Sequence, residues 1–420
     1  MSTKDKILYA EEGTHPTGKG SSLGAYFNIL NALAGVGTLG MGAVLASSGW
    51  VMLVVILVAG LVSVYTGTLL VKCMEKKSSV LVETYPDVGV ASFGVIGRTV
   101  VQFCQYTIIG GGVTMYIVYA GTQMQGFAQF LHYEAVNRWM FILAAGIVVW
   151  LPLVSLKTVR EVAWISAMGG IATLLAVIIC VSLCFNKLPS QTNVEYDVFV
   201  IKHFADGLAI ISFAYGGTMI FPHVYRSMAK PQQWNFTVTA AILTASLMYL
   251  IMSSVGYATF GKATKNPIFN HFDGSGFKWA AALLLGAHVL CAGTVFLCSL
   301  CLEIERFLSV SIEQMGRQRE FCFRAIIRSS VLASLVLTGC IVNQFELIMN
   351  LVGAFSECML VFIVPTVCHL KMFGIRGRQA WEYPVIVITL IVALVCVIQG
   401  TYNAVDAIFV HISSKKSFFS

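Results

Sequence analysis

Apolar runs close to twenty residues long recur from residue 23 to residue 410, and no other feature limits this chain's folding more. Each run is near the roughly 20 residues that a helix needs to cross a bilayer core. Their spread along the whole length excludes a signal peptide or a single anchor. Of the 420 residues 57% are hydrophobic and 11% charged, against about 25% charged in an ordinary soluble domain. The reading is an all-α integral membrane protein with one polytopic domain.

Windows of about 19 residues place spans near 23–45, 50–73, 100–126, 139–155, 161–185, 203–225, 236–260, 279–302, 325–343, 345–370 and 384–410. Eleven spans put the termini on opposite sides of the membrane. With the N-terminus in the cytosol, 19 of the 27 Lys and Arg residues fall on the inner side, the orientation that the positive-inside rule favours. The C-terminal tail, 412–420, is then lumenal or extracellular, and the sequon Asn235-Phe236-Thr237 lies on the cytosolic side. The net charge of +7 therefore reads as a topology signal, and no nucleic-acid partner is expected. The twelve Cys lie mostly in apolar segments, and the one CxxC, Cys298 to Cys301, has no His or second pair nearby. Neither a zinc site nor a disulfide framework follows. The soluble parts, a tail over 1–22 and loops at 186–202, 261–278 and 303–324, are too small for a catalytic domain.

The stretch Asn31 to Val44, NALAGVGTLGMGAV, holds four glycines in eight residues inside the first span. Its G-V-G-T-L-G run satisfies the GxGxxG pattern of dinucleotide-binding folds, but the flanks are membrane helix and the next acid is Glu75. That fingerprint requires a preceding strand and an acid about 20 positions on. A second near-match, G-Y-A-T-F-G-K-A over Gly256 to Ala263, lacks the Ser or Thr of a phosphate-binding loop. No nucleophile and base can be assembled either, so no enzyme activity, cofactor or metal site is expected.

Small residues that let helices approach closely are the plain explanation for such glycines. At 100° per residue, however, Gly35 and Gly42 share one face while Gly37 and Gly40 lie nearly opposite, and four glycines cost a helix about 1 kcal/mol each relative to Ala. The stretch reads as one built to unwind. Unwound backbone at membrane depth is tolerated only when buried in protein or lining a wet cavity. A matching interruption occurs in the sixth span, where Ala209 to Tyr225 carries Gly216-Gly217 and then Pro222. Paired broken helices in corresponding positions of two halves mark a secondary transporter's midplane site. The halves are repeat 1, about 23–185, and repeat 2, about 203–370, with an extra helix at about 384–410.

Freed N–H groups of Val36, Gly37, Thr38 and Leu39, at a half-helix N-terminus, can hold a carboxylate. Freed carbonyls from Asn31 to Ala34 and from Phe213 through Ala214 and Tyr215 to Gly216 can accept from an ammonium. The expected substrate-binding set is Asn31, Gly35 through Gly40, Phe213, Ala214, Tyr215, Gly216 and Gly217, and the expected ligand an α-amino acid. Ionisable groups inside spans are functional candidates by default. Glu357 reads as a proton carrier or as a partner for a backbone break. Asp206, near the outer start of the sixth span, is a coupling candidate or simply solvated. His288 reads as a histidine bonded to a carbonyl, and Glu303, Glu305 and Arg306 as a gate or a surface pair. Gly110-Gly111-Gly112 would bring the third span close to the site, with Tyr106 or Thr114 as pocket walls.

The stretches YFNILNALAGVGTLGMGAVLASSGW (26–50), TYPDVGVASFGVIGR (84–98), FAYGGTMIFPHVYRSMAKPQQWN (213–235), GYATFG (256–261), CLEIERF (301–307) and LVGAFSECMLVFIVPTVCHLK (351–371) together resemble the amino acid/auxin permease family. The resemblance implies the eleven-helix amino acid–polyamine–organocation fold of LeuT type, with 5+5 inverted repeats plus one helix. It also implies coupled amino-acid transport, with the vacuolar, vesicular and proton-coupled branches most similar. Asn31 with Thr294 resembles the pairing that sodium-coupled relatives use between the first and eighth helices, but Asn31 is widespread in the family and does not decide the ion. Many relatives carry Pro where this chain has Gly42, a departure that bears on gating and substrate range. The expected protein is a monomer in the lipid bilayer of a vacuole, another endomembrane or the plasma membrane. It moves amino acids, neutral ones first, with protons rather than Na+. The alternatives are a sodium-coupled symporter and an amino-acid sensor with a transporter fold, though the short N-terminal tail argues against sensing.

Overall fold

A computed structural model describes residues 18–76, 82–133, 137–156, 161, 163–190, 193–272, 275–310, 315–341 and 350–416. The expected tails at 1–17 and 417–420, and the junction of the ninth and tenth spans at 342–349, lie outside the described residues. The side chains of Val36 and Leu39 do so too.

Helices make up the described chain: α1 (Ser22–Leu33), α2 (Val36–Ser48), α3 (Met52–Glu75), α4 (Tyr85–Thr107), α5 (Thr114–Phe130), α6 (Arg138–Ser155), α7 (Ala163–Lys187), α8 (Phe204–Ala214), α9 (Phe221–Ser227), α10 (Trp234–Phe260), α11 (Gly276–Phe307), α12 (Arg317–Ile341), α13 (Val364–Phe373), α14 (Glu382–Val395) and α15 (Thr401–Lys416). Among the described residues the only β pairing is an isolated bridge between Gly20 and Met228. Among the described residues nine helical stretches are long and apolar enough to cross a membrane. The expected first and third spans are also helical, over 22–48 and 85–130, but fall outside that measure. A break leaves the first in halves of 12 and 13 residues. The third begins earlier than its apolar run suggests. Thr84 and Asp87 form a capping box, and the helix bends at Phe93 and at Gly94, whose φ of +63° suits glycine.

Glycines in the third span do something other than bring helices together. Gly110, Gly111 and Gly112 sit in a π-turn over Ile108–Val113, and a side chain on Gly110 would meet nothing within 4 Å. Tyr106 is 51% exposed, on the outer face, and Thr114 is buried against the Leu335 carbonyl. At the end of the bundle rich in Lys and Arg, the Arg328 side chain closes the end of α6 by donating to the carbonyls of Leu153 and Leu156 while pairing with Glu305 at 2.7 Å. A buried guanidinium is tolerable only with its charge and donors matched in this way.

The two interrupted spans lie in the middle of this bundle. α1 packs on α7 and α10, and α2 on α8 and α10, so both halves of the first span share α10 as a backing helix.

Candidate functional site

The first break is an inverse γ-turn. Ala34 has φ −76° and ψ 60°, close to that turn's ideal values, and the Gly35 N–H donates to the Leu33 carbonyl at 2.8 Å. Helix resumes at Val36, and the Gly35 carbonyl accepts from Thr38 N–H at 2.9 Å. The unwinding is therefore two residues long, shorter than the glycine run. Gly37, Gly40 and Gly42 are helical and serve close packing: an added Cβ would stand 2.7 Å from the Ala214 Cβ, 2.9 Å from Asn266 Oδ1 and 2.9 Å from the Thr264 methyl, respectively. They point to different sides because α2 is surrounded, which is why no single seam was visible in the sequence. This also accounts for Gly42, where any side chain would push against the turn after α10.

The sixth span breaks over Tyr215, Gly216 and Gly217, then tightens into a 3-10 turn at Thr218–Ile220 before α9. The two breaks face each other reciprocally. Gly37, at the start of α2, lies against Ala214 at the end of α8, and Gly217 lies against Ala32 and Leu33 at the end of α1. Tyr249 of α10 staples the two: its Oη stands 2.7 Å from the Leu33 carbonyl and 2.6 Å from that of Ala214, and donates its one proton to either. Tyr249 was missed from the sequence. The available signal was a lone hydroxyl in an apolar run, which a buried tyrosine must satisfy.

Each expected residue can now be placed. The Tyr215 side chain points away from the break, its Oη donating to the Ile56 carbonyl at 2.9 Å and meeting Ser246 at 2.8 Å; only its backbone faces the site. Phe213 is buried against Gly353. Asn31 is fully buried beside Gly169 of α7, and neither atom of its amide is hydrogen-bonded. Thr38 Oγ1 is likewise buried and unbonded. Thr294 donates to its own helix at Leu290, and with the Asn31 amide unbonded the two side chains share no hydrogen bond. His288 Nδ1 meets the Gly169 carbonyl at 3.0 Å, and its Nε2 faces Gly35. Because a carbonyl only accepts, Nδ1 carries the proton.

Glu357 is the one acid at the breaks among the described residues. It is 3% exposed, and a Cβ added to Gly216 would stand 2.5 Å from both carboxylate oxygens. No hydrogen bond or ion pair joins it to another described residue. Two π-turns, Gly353–Glu357 and Met359–Ile363, carry it there. In this register Val364 N–H bonds the Met359 carbonyl, so the next bond would run from residue 365 to Leu360. Residue 365 is Pro and has no N–H. The freed Leu360 carbonyl instead accepts from Tyr85 Oη at 2.6 Å and from Thr218 Oγ1 at 3.1 Å, fixing this span to the segment just past Gly217.

Asp206 lies elsewhere. It is ten residues before Gly216, about 15 Å along a helix, and accepts from Asn403 Nδ2 at 2.7 Å while meeting His203 Nδ1 at 3.3 Å. It lines a cavity of about 330 Å³ with Ser47, Asn266, Asn350 and Asn403. That cavity lies at the end opposite the basic one, which is sealed by charges. Arg306 meets Glu83 at 3.1 Å and Asp87 at 2.9 Å, and Arg226 meets Glu83 at 2.7 Å. Burial alone would push the Asp87 carboxyl up, but the Arg306 charge and hydrogen bond, with donors from Thr84 and Glu83, hold it below the ordinary carboxylate value. Glu303 accepts from Gln105 Nε2 at 3.3 Å and faces His223 Nε2 at 3.3 Å. A short strap adds to this seal, with Gly20 N–H donating to the Ser227 carbonyl and Ala229 N–H to that of Gly20, both at 2.7 Å.

Known proteins are similar to this chain. The amino acid transporter AVT1J of Arabidopsis thaliana is 26% identical over 94% of this chain and 93% of its own length. The vesicular inhibitory amino acid transporter of Xenopus tropicalis is 22% identical over 97% of this chain and 80% of its own. Among solved structures, MhsT in complex with L-phenylalanine matches with a TM-score of 0.59 at 11% identity, covering 94% of this chain and 99% of that one. A substrate-bound, outward-open Na+-coupled sialic acid symporter matches at 0.56 and 10% identity, covering 95% and 94%. At such identities the structures speak for the LeuT-like fold alone. The family model described as transmembrane amino acid transporter protein matches residues 18–405. The chain therefore belongs to the transmembrane amino acid transporter family, a family of transporters and not of enzymes.

Proposed function

We propose that this protein is a secondary active transporter that moves neutral amino acids together with protons, by alternating access around the two facing breaks. The observation that carries the reading is the Glu357 carboxylate resting on Gly216 between two half-helices. A zwitterion suits the opposed helix ends: the first amides of α2 at Val36 and Gly37 have no intrahelical acceptor and draw a carboxylate, while carbonyl ends at Leu33 and Ala214 draw an ammonium. Tyr249, which now occupies those carbonyls, would yield one of them to the substrate. An ionised carboxylate buried without a cation is costly, and a proton at Glu357 removes that cost without the cage of oxygen ligands that a metal cation requires. Asp206 is the second coupling candidate and Thr294 the third; both stand apart from Glu357.

The architecture proposed is eleven spans, 5+5 inverted repeats plus the α14–α15 span, working as a monomer in the bilayer. The basic end faces the cytosol and the cavity at Asp206 faces the lumen or the exterior. The similarity to a vesicular transporter supports an endomembrane. A sensor reading has one observation in its favour, the Gly20 strap that ties the N-terminal segment to the end of α9. Uptake of a panel of labelled amino acids into proteoliposomes under an imposed pH or sodium gradient separates these readings. Accumulation of neutral amino acids driven by the pH gradient is expected. Binding without any gradient-driven accumulation would overturn transport in favour of sensing, and accumulation driven only by sodium would overturn proton coupling.

A further inference from the structure

We propose that His223 and Glu303 form a second proton site, on the cytosolic side, and that losing its proton unlatches α9 from α11. This rests on the proton-coupled reading above and adds the place where the cytosolic gate responds to the proton. His223 lies seven residues beyond Gly216, about 10 Å along the same span. It belongs to the short half-helix α9, while Glu303 belongs to the long helix α11 and Gln105, which donates to the same Glu303 oxygen, to α4. The pair therefore spans the seam that must part if α9 is to swing away and open the site to the cytosol. Both side chains are nearly buried, at 12% and 13% exposure, so a charge change there is poorly screened.

The surroundings single out His223. From α9 itself Arg226 is tied to Glu83 and Tyr225 donates to Glu75 of α3; from α11 Arg306 is tied to Glu83 and Asp87; Arg98 of α4 stands 3.7 Å from Asp87. These are arginine–carboxylate pairs and a tyrosine–carboxylate hydrogen bond, whereas imidazole is the side chain suited to change charge between pH 5 and pH 8. With a proton on the ring, imidazolium and carboxylate attract and the seam is held by charge. When the Nδ1–H bond breaks and its proton passes to cytosolic water, a neutral ring still donates from Nε2 to Glu303 but the attraction of imidazolium for carboxylate is gone; when the Nε2–H bond breaks, two acceptors face each other and the hydrogen bond is lost as well. The pH response of the gate therefore resides in this pair.

The test uses the full chain in proteoliposomes, with amino-acid release measured at the face bearing Lys230 while the pH at that face alone is varied. Wild type is expected to release about fivefold faster, or more, at pH 7.5 than at pH 5.5, and His223→Gln to lose much of that dependence, keeping only the part set by the proton carried on Glu357. A label-to-label distance between positions 230 and 307, in a Cys322→Ser background, should lengthen with rising pH in wild type and not in His223→Gln. Glu303→Gln, which keeps the shape of the site, should flatten both profiles as well. If the variants are folded and keep the wild-type pH profile, the pair merely holds the seam and the proposal is overturned. If wild type itself shows no amino-acid flux under any gradient, the transport reading falls first and this proposal with it.

Discussion

The break in the first span and the break in the sixth meet at the centre of the molecule, but they are made of different materials. The first is a two-residue γ-turn at Ala34 and Gly35 with no ionisable side chain of its own, flanked by the His288–Gly169 contact and the unbonded amide of Asn31. The sixth is three residues long, and an acid from another span lies on it. One break has an imidazole from another span beside its backbone ends, and the other has a carboxylate. The proposed function would place substrate recognition at both and proton coupling at the second.

Substitutions can break that division, and the largest effect belongs to Gly216. Gly216→Val would place side-chain carbon against the Glu357 carboxylate, and uptake should fall to background, about 100-fold or more for a displacement on the order of 1 Å. Gly217→Ala is the internal contrast. Its Cβ would meet only side-chain carbons of Leu33 and Ala32 at 3.2 and 3.3 Å, so a loss of a few-fold is expected; equal losses at the two glycines would remove Glu357 from the account. Glu357→Gln should abolish accumulation driven by a pH gradient while leaving binding of the amino acid measurable. Proton-driven accumulation that survives this change would move the coupling role to another group.

Smaller effects sharpen the comparison. Tyr249→Phe removes the staple between the Leu33 and Ala214 carbonyls. The loss of one net hydrogen bond, about 1 kcal/mol, corresponds to roughly fivefold in an equilibrium, read as a shift in substrate affinity. Asp87 gives the smallest. Its folded value lies below the ordinary 3.8, so its contribution to stability is fully present above that value and is lost as pH falls through the folded one. Thermal unfolding of Asp87→Asn should start from a Tm a few degrees lower and show a shallower decline below about pH 4; an unchanged acid limb would show that the basic end is not held by this carboxylate.

Much of this was legible beforehand. Apolar run length gave the membrane class, and the paired Gly-rich interruptions located both breaks, because hydropathy and helix propensity are local properties. The extent of the first break was not legible: three of its four glycines answer to neighbours from Ala214, Thr264 and Asn266, which are distant in sequence. Nor was the path that brings Glu357 to Gly216. It depends on a π register in which Pro365 leaves the Leu360 carbonyl without a backbone donor, to be held by Tyr85 and Thr218 instead, and no periodicity in the sequence records that. Gln105, His223 and Tyr249 were passed over because a polar residue at a span's end or middle is ordinary until its partner is known.

The central claim is that an amino acid is carried between the two breaks with a proton on Glu357. Its most direct test is the ratio of protons to amino-acid molecules entering proteoliposomes, followed together by a pH-sensitive dye and a labelled neutral amino acid, in wild type and in Glu357→Gln. Coupled entry of both in wild type, with proton entry lost in Glu357→Gln, is the predicted result. Amino-acid accumulation in wild type without proton entry, or identical proton coupling in the variant, would contradict it.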